Sequence, residues 1–225
     1  FLPGRGMLDM KGGLAIGMAV LERFAAESAG AGNLLMLFTP DEENYSHGMR
    51  SAVVDLPELL TTWDLDPVLA INLDAAVNSG DGGDGRAIFF GSVSKLLPFV
   101  HIVGRPSHVG APFDGVNATL LAAELVREVE CNPAYGDRAP TAGEMPPVPV
   151  GLRAVDLKPH YDVTMPEQAF VAFNVLTYSA DPAEVLDRLR TAARSALDAA
   201  HSLVRDRAAA AGVSFGIEAG QVIDY

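Results

Sequence analysis

With 225 residues, 49% of them hydrophobic, the chain is long enough for one large or two small cores. A formal net charge of −13 argues against a nucleic-acid partner, which rewards a basic face, and the longest apolar runs fall far short of a membrane span. A single cysteine, Cys131, excludes an internal disulfide and suits a reducing compartment; no secretory signal is visible, so a cytoplasmic location is expected.

The first element is a glycine turn running into a helix. Residues 4–13 read GRGMLDMKGG, and behind them Leu14, Met18, Leu21 and Ala25 recur at helical spacing. Gly4 and Gly6 permit positive φ and close backbone approach, so Asp9 sits in a turn at a helix entrance. A Walker A loop needs a hydroxyl after the lysine, and Lys11 is followed by Gly12; a dinucleotide fingerprint needs glycine where Asp9 stands. What remains is a helix-capping aspartate or a cation ligand.

Residues 33–39 (NLLMLFT) form a short apolar run bounded by Gly32 and Pro40, which predicts a buried strand, and it leads directly into Asp41, Glu42 and Glu43. Those acids either open a helix over 46–54 or face a ligand. Residues 68–73 (VLAINL) predict a second strand, ending on Asp74. In open α/β sheets the ligand crevice lies beyond the carboxyl ends of the strands. If both runs share a sheet, Asp9, Glu42, Glu43 and Asp74 converge on one rim, and such an acid cluster calls for a cation.

The Gly/Asp-rich run at 78–85 lacks the ligand spacing of a calcium loop and reads as a solvent loop. Beyond it the pattern predicts strands over 87–90 and 99–103, a loop carrying His108 and a helix over 116–130. A Pro-rich loop over 132–150, a strand over 169–178, a helix over 182–211 and a strand over 213–218 follow. The long helix sets Val185, Leu189, Ala192, Ala196 and Leu197 on one face. This succession suits a ferredoxin-like lid. His108 is either a surface loop histidine or part of a site, and Asn117 either opens the following helix or makes a polar contact nearby.

The order G-R-G-x-x-D-M-K-G-G, D-E-E at a strand end, an acid closing a second strand, then Gly104-Arg105-Pro106-Ser107-His108-Val109-Gly110 with Gly115-Val116-Asn117-Ala118 behind it resembles the M20 family of dinuclear zinc peptidases and amidohydrolases. The stretches Gly91 to Pro98, Asp156-Leu157-Lys158 and Tyr161-Asp162-Val163 resemble most its RocB-like, arginine-utilisation branch. The resemblance covers nearly the whole chain. It implies an α/β fold: a partial zinc-exopeptidase-like mixed sheet with helices over residues 1–94, and an inserted ferredoxin-like α+β lid over 95–225.

By the same resemblance Asp9 bridges two metal ions, Glu43 and Asp74 each bind one of them, and Glu42 is the general base. His108 stabilises the developing oxyanion, with Asn117 a polar contact to substrate. The implied reaction is cleavage of an amide or peptide bond in a small amino-acid-derived or peptide-like substrate by a metal-bound water, with two Zn²⁺ or other divalent cations as cofactors. The exposed edge strand of such a lid invites a homodimer.

The family's His-x-Asp pair and its C-terminal metal-binding histidine have no counterpart here, and Phe173-Asn174-Val175-Leu176 stands where many relatives carry Asp-x-Arg. The chain is therefore expected to be a fragment, inactive alone. Its oxygen-only acids should hold a hard ion such as Mg²⁺ or Ca²⁺, or none. A catalytically silent binding or assembly module that keeps the fold without metal is the alternative. A Mg²⁺-dependent phosphate enzyme is disfavoured by the failed phosphate loops.

Overall fold

Helices form where apolar spacing and caps agree, and strands only where a neighbour completes the ladder; the computed structural model shows both rules at work. It describes residues 4–27, 30, 32–75, 90–138 and 146–223. The fold is mixed α/β with an antiparallel sheet and helices, divided into two compact units, Phe1–Ile88 and Phe89–Tyr225.

In the first unit a tight turn at Met7–Lys11, closed by the Lys11 N–H donating to the Gly6 carbonyl at 2.8 Å, leads into helix α1 (Gly12–Glu27). Gly6 takes the left-handed conformation, φ 73°, that glycine allows without penalty. Helix α2 (His47–Thr62) follows the acidic turn and runs eight residues past the predicted end at 54, through Pro57.

The two predicted strands at 33–39 and 68–73 are not strands: neither joins a ladder among the described residues. Apolar content alone does not supply a ladder partner, and here each run approaches α1 closely at one residue, Met36 or Leu73, while Leu34, Leu35, Leu37 and Phe38 stay exposed. A side chain at Gly13 would fall 2.0 Å from the Leu73 carbonyl oxygen, and one at Gly17 would fall 2.1 Å from the Met36 methyl. Much of the 68–71 run is left exposed, Val68 by 94%. The mixed sheet expected over 1–94 is therefore absent from the described part of this unit.

The second unit is built on β4 (Gln168–Thr177), whose alternate residues Ala169, Val171, Phe173 and Val175 are buried. Strands β1 (Ser94–Leu96) and β2 (Phe99–Val103) pair antiparallel with successive parts of one edge of β4, and β3 (Val150–Asp156) pairs antiparallel with the other. Helix α3 (Ala118–Val129) contributes Ala118, Ala122, Leu125 and Val129 to the core, and α4 (Pro182–Ala210) contributes Val185, Leu189, Ala192 and Ala196. Both sets follow the three-and-four spacing of one helix face.

Strand β3 was hidden inside and beyond the Pro-rich stretch, because a register shift between Gly151 and Arg153 breaks the two-residue alternation that marks a strand. The predicted strand at 213–218 also fails to pair among the described residues. That segment turns back on α4, where His201 Nε2 lies 2.7 Å from the Ile217 carbonyl oxygen and its ring meets Phe215. Leu197 accordingly lines the crevice under this segment rather than the core stripe. The predicted 87–90 strand falls outside the described residues except for Phe90, which is in no strand.

One buried carboxylate ties the end of β4 to the start of α4. Asp137, 6% exposed, accepts the backbone N–H groups of Tyr178, Ser179 and Ala180 on one oxygen and of Arg138 on the other. Burial pushes its carboxyl upward, but these four donors outweigh burial and hold it well below the usual carboxylate range.

Two outcomes follow from this packing. Gly13→Ala should destabilise the protein by about 1–3 kcal/mol, read as a lowered urea midpoint, because the helix must back away from residue 73. Asp137→Ala should cost about 1–3 kcal/mol at neutral pH by orphaning buried N–H groups. Since the folded carboxyl is depressed, its stabilisation is present above the unfolded value of about 3.9 and is lost as pH falls through the folded one. The gap between wild type and variant in denaturant titrations should therefore narrow as pH drops below about 4.

Candidate functional site

Three separate stretches of the first unit deliver carboxylates to one locus. Asp9 lies in the turn before α1, and its backbone is not helical (φ −117°, ψ 99°), so it does not cap the helix in the ordinary way. Glu42 and Glu43 lie in the turn after residues 33–39, shaped by left-handed Asp41, Tyr45 and Ser46, with the Ser46 hydroxyl donating to the Glu42 carbonyl at 3.0 Å. Gly48 admits Pro40 at a distance that a side chain would forbid, so α2 starts tight against this turn. Asp74 follows Leu73, whose carbonyl abuts Gly13, and it accepts the Ala75 N–H at 2.7 Å.

The electrostatics record the convergence. The Glu43 carboxyl is raised above its ordinary value, first by a hydrogen bond shared with Asp9, then by the charges of Glu42 and Asp9, by burial, and by the charge of Asp74. Three of the predicted acids therefore act on the fourth. Among the described residues no three His, Cys, Asp or Glu side chains close into a cage tight enough to hold a metal ion. The cluster fits a cation in charge and donor chemistry, since oxygen ligands of like sign repel until neutralised, but it offers no nitrogen or sulfur ligand.

The second unit carries His108. Its loop leaves β2 at Gly104 and closes through reciprocal hydrogen bonds between Arg105 and Val116, at 2.9 and 2.8 Å. Gly104 and Gly115 are required there: a side chain at the first would fall 2.3 Å from the Val116 carbonyl, and at the second 2.5 Å from the Arg105 carbonyl. Within the loop the Gly110 N–H donates to His108 Nδ1 at 3.0 Å. A backbone amide can only donate, so a neutral His108 carries its proton on Nε2. Asn117, read as a substrate contact, has its side-chain oxygen taken by the Thr119 N–H at 2.8 Å, the N-cap of α3.

Gly110, Lys158 and Asp162 do more here than occupy motif positions: the first donates to His108, and the other two pair beside Thr164. The sequence carries a signal for this, because Asp162 two residues before Thr164 is the spacing of an Asx turn, and its carboxylate accepts the Thr164 N–H at 2.8 Å. His47, His101 and His201 are accounted for locally, by Tyr45, Gln168 and the Ile217 carbonyl.

Comparison with known proteins is consistent across the chain. The profile of Peptidase family M20/M25/M40 matches residues 1–221. Uncharacterized protein YqjN of Bacillus subtilis (strain 168) is 36% identical over 207 residues, 92% of this chain and 37% of that protein. Protein RocB of the same organism is 30% identical over 187 residues, 83% of this chain and 33% of its own length. Succinyl-diaminopimelate desuccinylase 2 of Shewanella loihica is 27% identical over 192 residues, 84% of this chain and 48% of that enzyme. The chain thus spans between a third and a half of these relatives.

Proposed function

The chain belongs to the M20/M25/M40 peptidase family, on its RocB-like branch, and from that premise we propose that the complete protein is a metal-dependent hydrolase of an amide bond in a small amino-acid-derived substrate. The observation that carries the reading is the gathering of Asp9, Glu42 and Asp74, from three stretches of the chain, around the Glu43 carboxyl. The desuccinylase among its relatives favours an N-acylated amino acid as substrate.

In this reading Asp9, Glu43 and Asp74 hold the divalent cations, Zn²⁺ first among them. When bound, the cations polarise the scissile carbonyl and acidify a water. Glu42 takes the proton of the attacking water and returns it to the leaving nitrogen. His108, protonated on Nε2, donates to the oxygen on which negative charge develops. The first part of the chain, to residue 94, is assigned as catalytic and residues 95–225 as lid. The β-α-β-β-α order of β1–β2, α3, β3, β4 and α4 supplies the leading elements of a ferredoxin-like unit.

No described helix is long and apolar enough to cross a membrane, and a cytoplasmic enzyme is the reading adopted. The absence of a three-residue cage among the described residues is what the silent-module alternative draws on. Metal analysis decides between them: two zinc ions in the complete protein support the hydrolase, and none supports the module.

Glu42→Gln should lower hydrolysis of succinyl-diaminopimelate and N-acetyl amino acids by about 10²- to 10⁴-fold while leaving metal content unchanged, measured by product release and elemental analysis. Full activity, or loss of both metals, means a different base. The edge of β1 and β2 opposite β4 is unpaired among the described residues. We expect a second copy to add there. Light scattering at micromolar concentration should give a dimer mass, and a monomer would overturn this.

A further inference from the structure

A catalytic histidine on a loop is useful only if the loop fixes where its ring points and which nitrogen carries the proton. The His108 loop has little packing of its own, since His108, Val109 and Gly110 are all exposed. What holds it is a second strand of chain. The His108 backbone bridges antiparallel to Thr164, the Val109 N–H donates to the Val163 carbonyl at 2.9 Å, and the Met165 N–H donates to the Ser107 carbonyl at 2.9 Å. Three residues of the loop thus take their register from 163–165.

That segment is in turn fixed by one carboxylate. Asp162 Oδ1 accepts the Thr164 N–H at 2.8 Å, the Thr164 hydroxyl at 2.5 Å and the Lys158 ammonium at 2.5 Å. The Lys158 ammonium also reaches the Thr164 carbonyl at 2.7 Å, and the Lys158 N–H is held by Asp156 at the end of β3 at 3.0 Å. The Asp162 carboxyl sits well below the usual carboxylate range, first because of Lys158 and then because of the Thr164 hydroxyl and N–H. The stretch that marks the RocB-like branch therefore closes on Thr164, opposite His108. A surface ion pair alone contributes little; here the charge is combined with two further hydrogen bonds and a strand end, which makes a rigid corner.

We propose that Asp162, acting with Lys158 and Thr164, is a positioning residue that keeps the His108 loop in register, so that the Gly110 N–H engages Nδ1 and Nε2 retains the proton. The inference rests on the reading of His108 as the oxyanion donor. It adds that the histidine's tautomer is set by a brace ten residues long in a separate part of the sequence, residues 156–165. Asp162 touches neither substrate nor reacting atoms and acts only through His108.

The test is imidazole ¹⁵N NMR of the complete protein labelled at histidine, with His108→Gln assigning the resonances. In the wild type the excess of the Nε2–H form over the Nδ1–H form should be larger than in a solvated histidine side chain by up to about tenfold, the worth of one net hydrogen bond. Asp162→Ala should return the ratio toward that of a solvated histidine, and Lys158→Met should shift it in the same direction. Thr164→Ser, which keeps the hydroxyl, should retain the wild-type ratio.

The His101 and His201 resonances report whether β2 and α4 remain intact in each variant. Wild-type His108 nitrogen shifts in both Asp162→Ala and Lys158→Met would overturn the brace. If the shifts move as expected but His108→Gln hydrolyses N-acetyl amino acids at the wild-type rate, the brace stands and the oxyanion role falls.

Discussion

Carboxylates of like charge do not gather unaided; the backbone has to force them together, and in the first unit it does so by close approach to a helix. Gly13 and Gly17 stand one turn apart on α1, and each lacks the Cβ that would collide with the chain beneath it, the Leu73 carbonyl at one and the Met36 and Leu73 side chains at the other. With both extended segments drawn against the same helix, the turns at their ends bring Glu42, Glu43 and Asp74 toward Asp9. The raised Glu43 carboxyl is the electrostatic result of that approach.

In the second unit the constraint is a different one, backbone pairing around the His108 loop. Strand β4 supplies the rigid frame, flanked on both edges and covered by α3 and α4. The loop after β2 is pinned at its base by Arg105 and Val116 and along its side by residues 163–165. Exposure of His108 is thereby compatible with a defined ring, because backbone hydrogen bonds rather than side-chain burial determine its place.

How much of this was legible depended on whether the signal was local. Helices α3 and α4 and strands β2 and β4 were readable to within about two residues, since each carries its own periodicity and caps such as Asn117 and Asp181. Strand β3 was missed where its bulge interrupts alternation. The runs at 33–39 and 68–73 were misread because a strand is a property of a pair, and no ladder partner exists for them among the described residues. At the candidate site the acids stood out in the sequence from the glycine turn before α1 and from their places after two apolar runs, and their charges act together on Glu43. The tautomer of His108 was not legible, because it is decided by a backbone N–H that every non-proline residue possesses.

The segment after α4 carries a mechanical implication. Phe215 and Gly220 line the same small crevice as Val116, and Val116 is the residue whose backbone closes the base of the His108 loop. The stretch that runs on from the long helix and the foundation of the histidine loop therefore share one wall. A change in how residues 215–220 pack along α4 is therefore felt at the base of the loop through Val116, so the two segments are not independent parts.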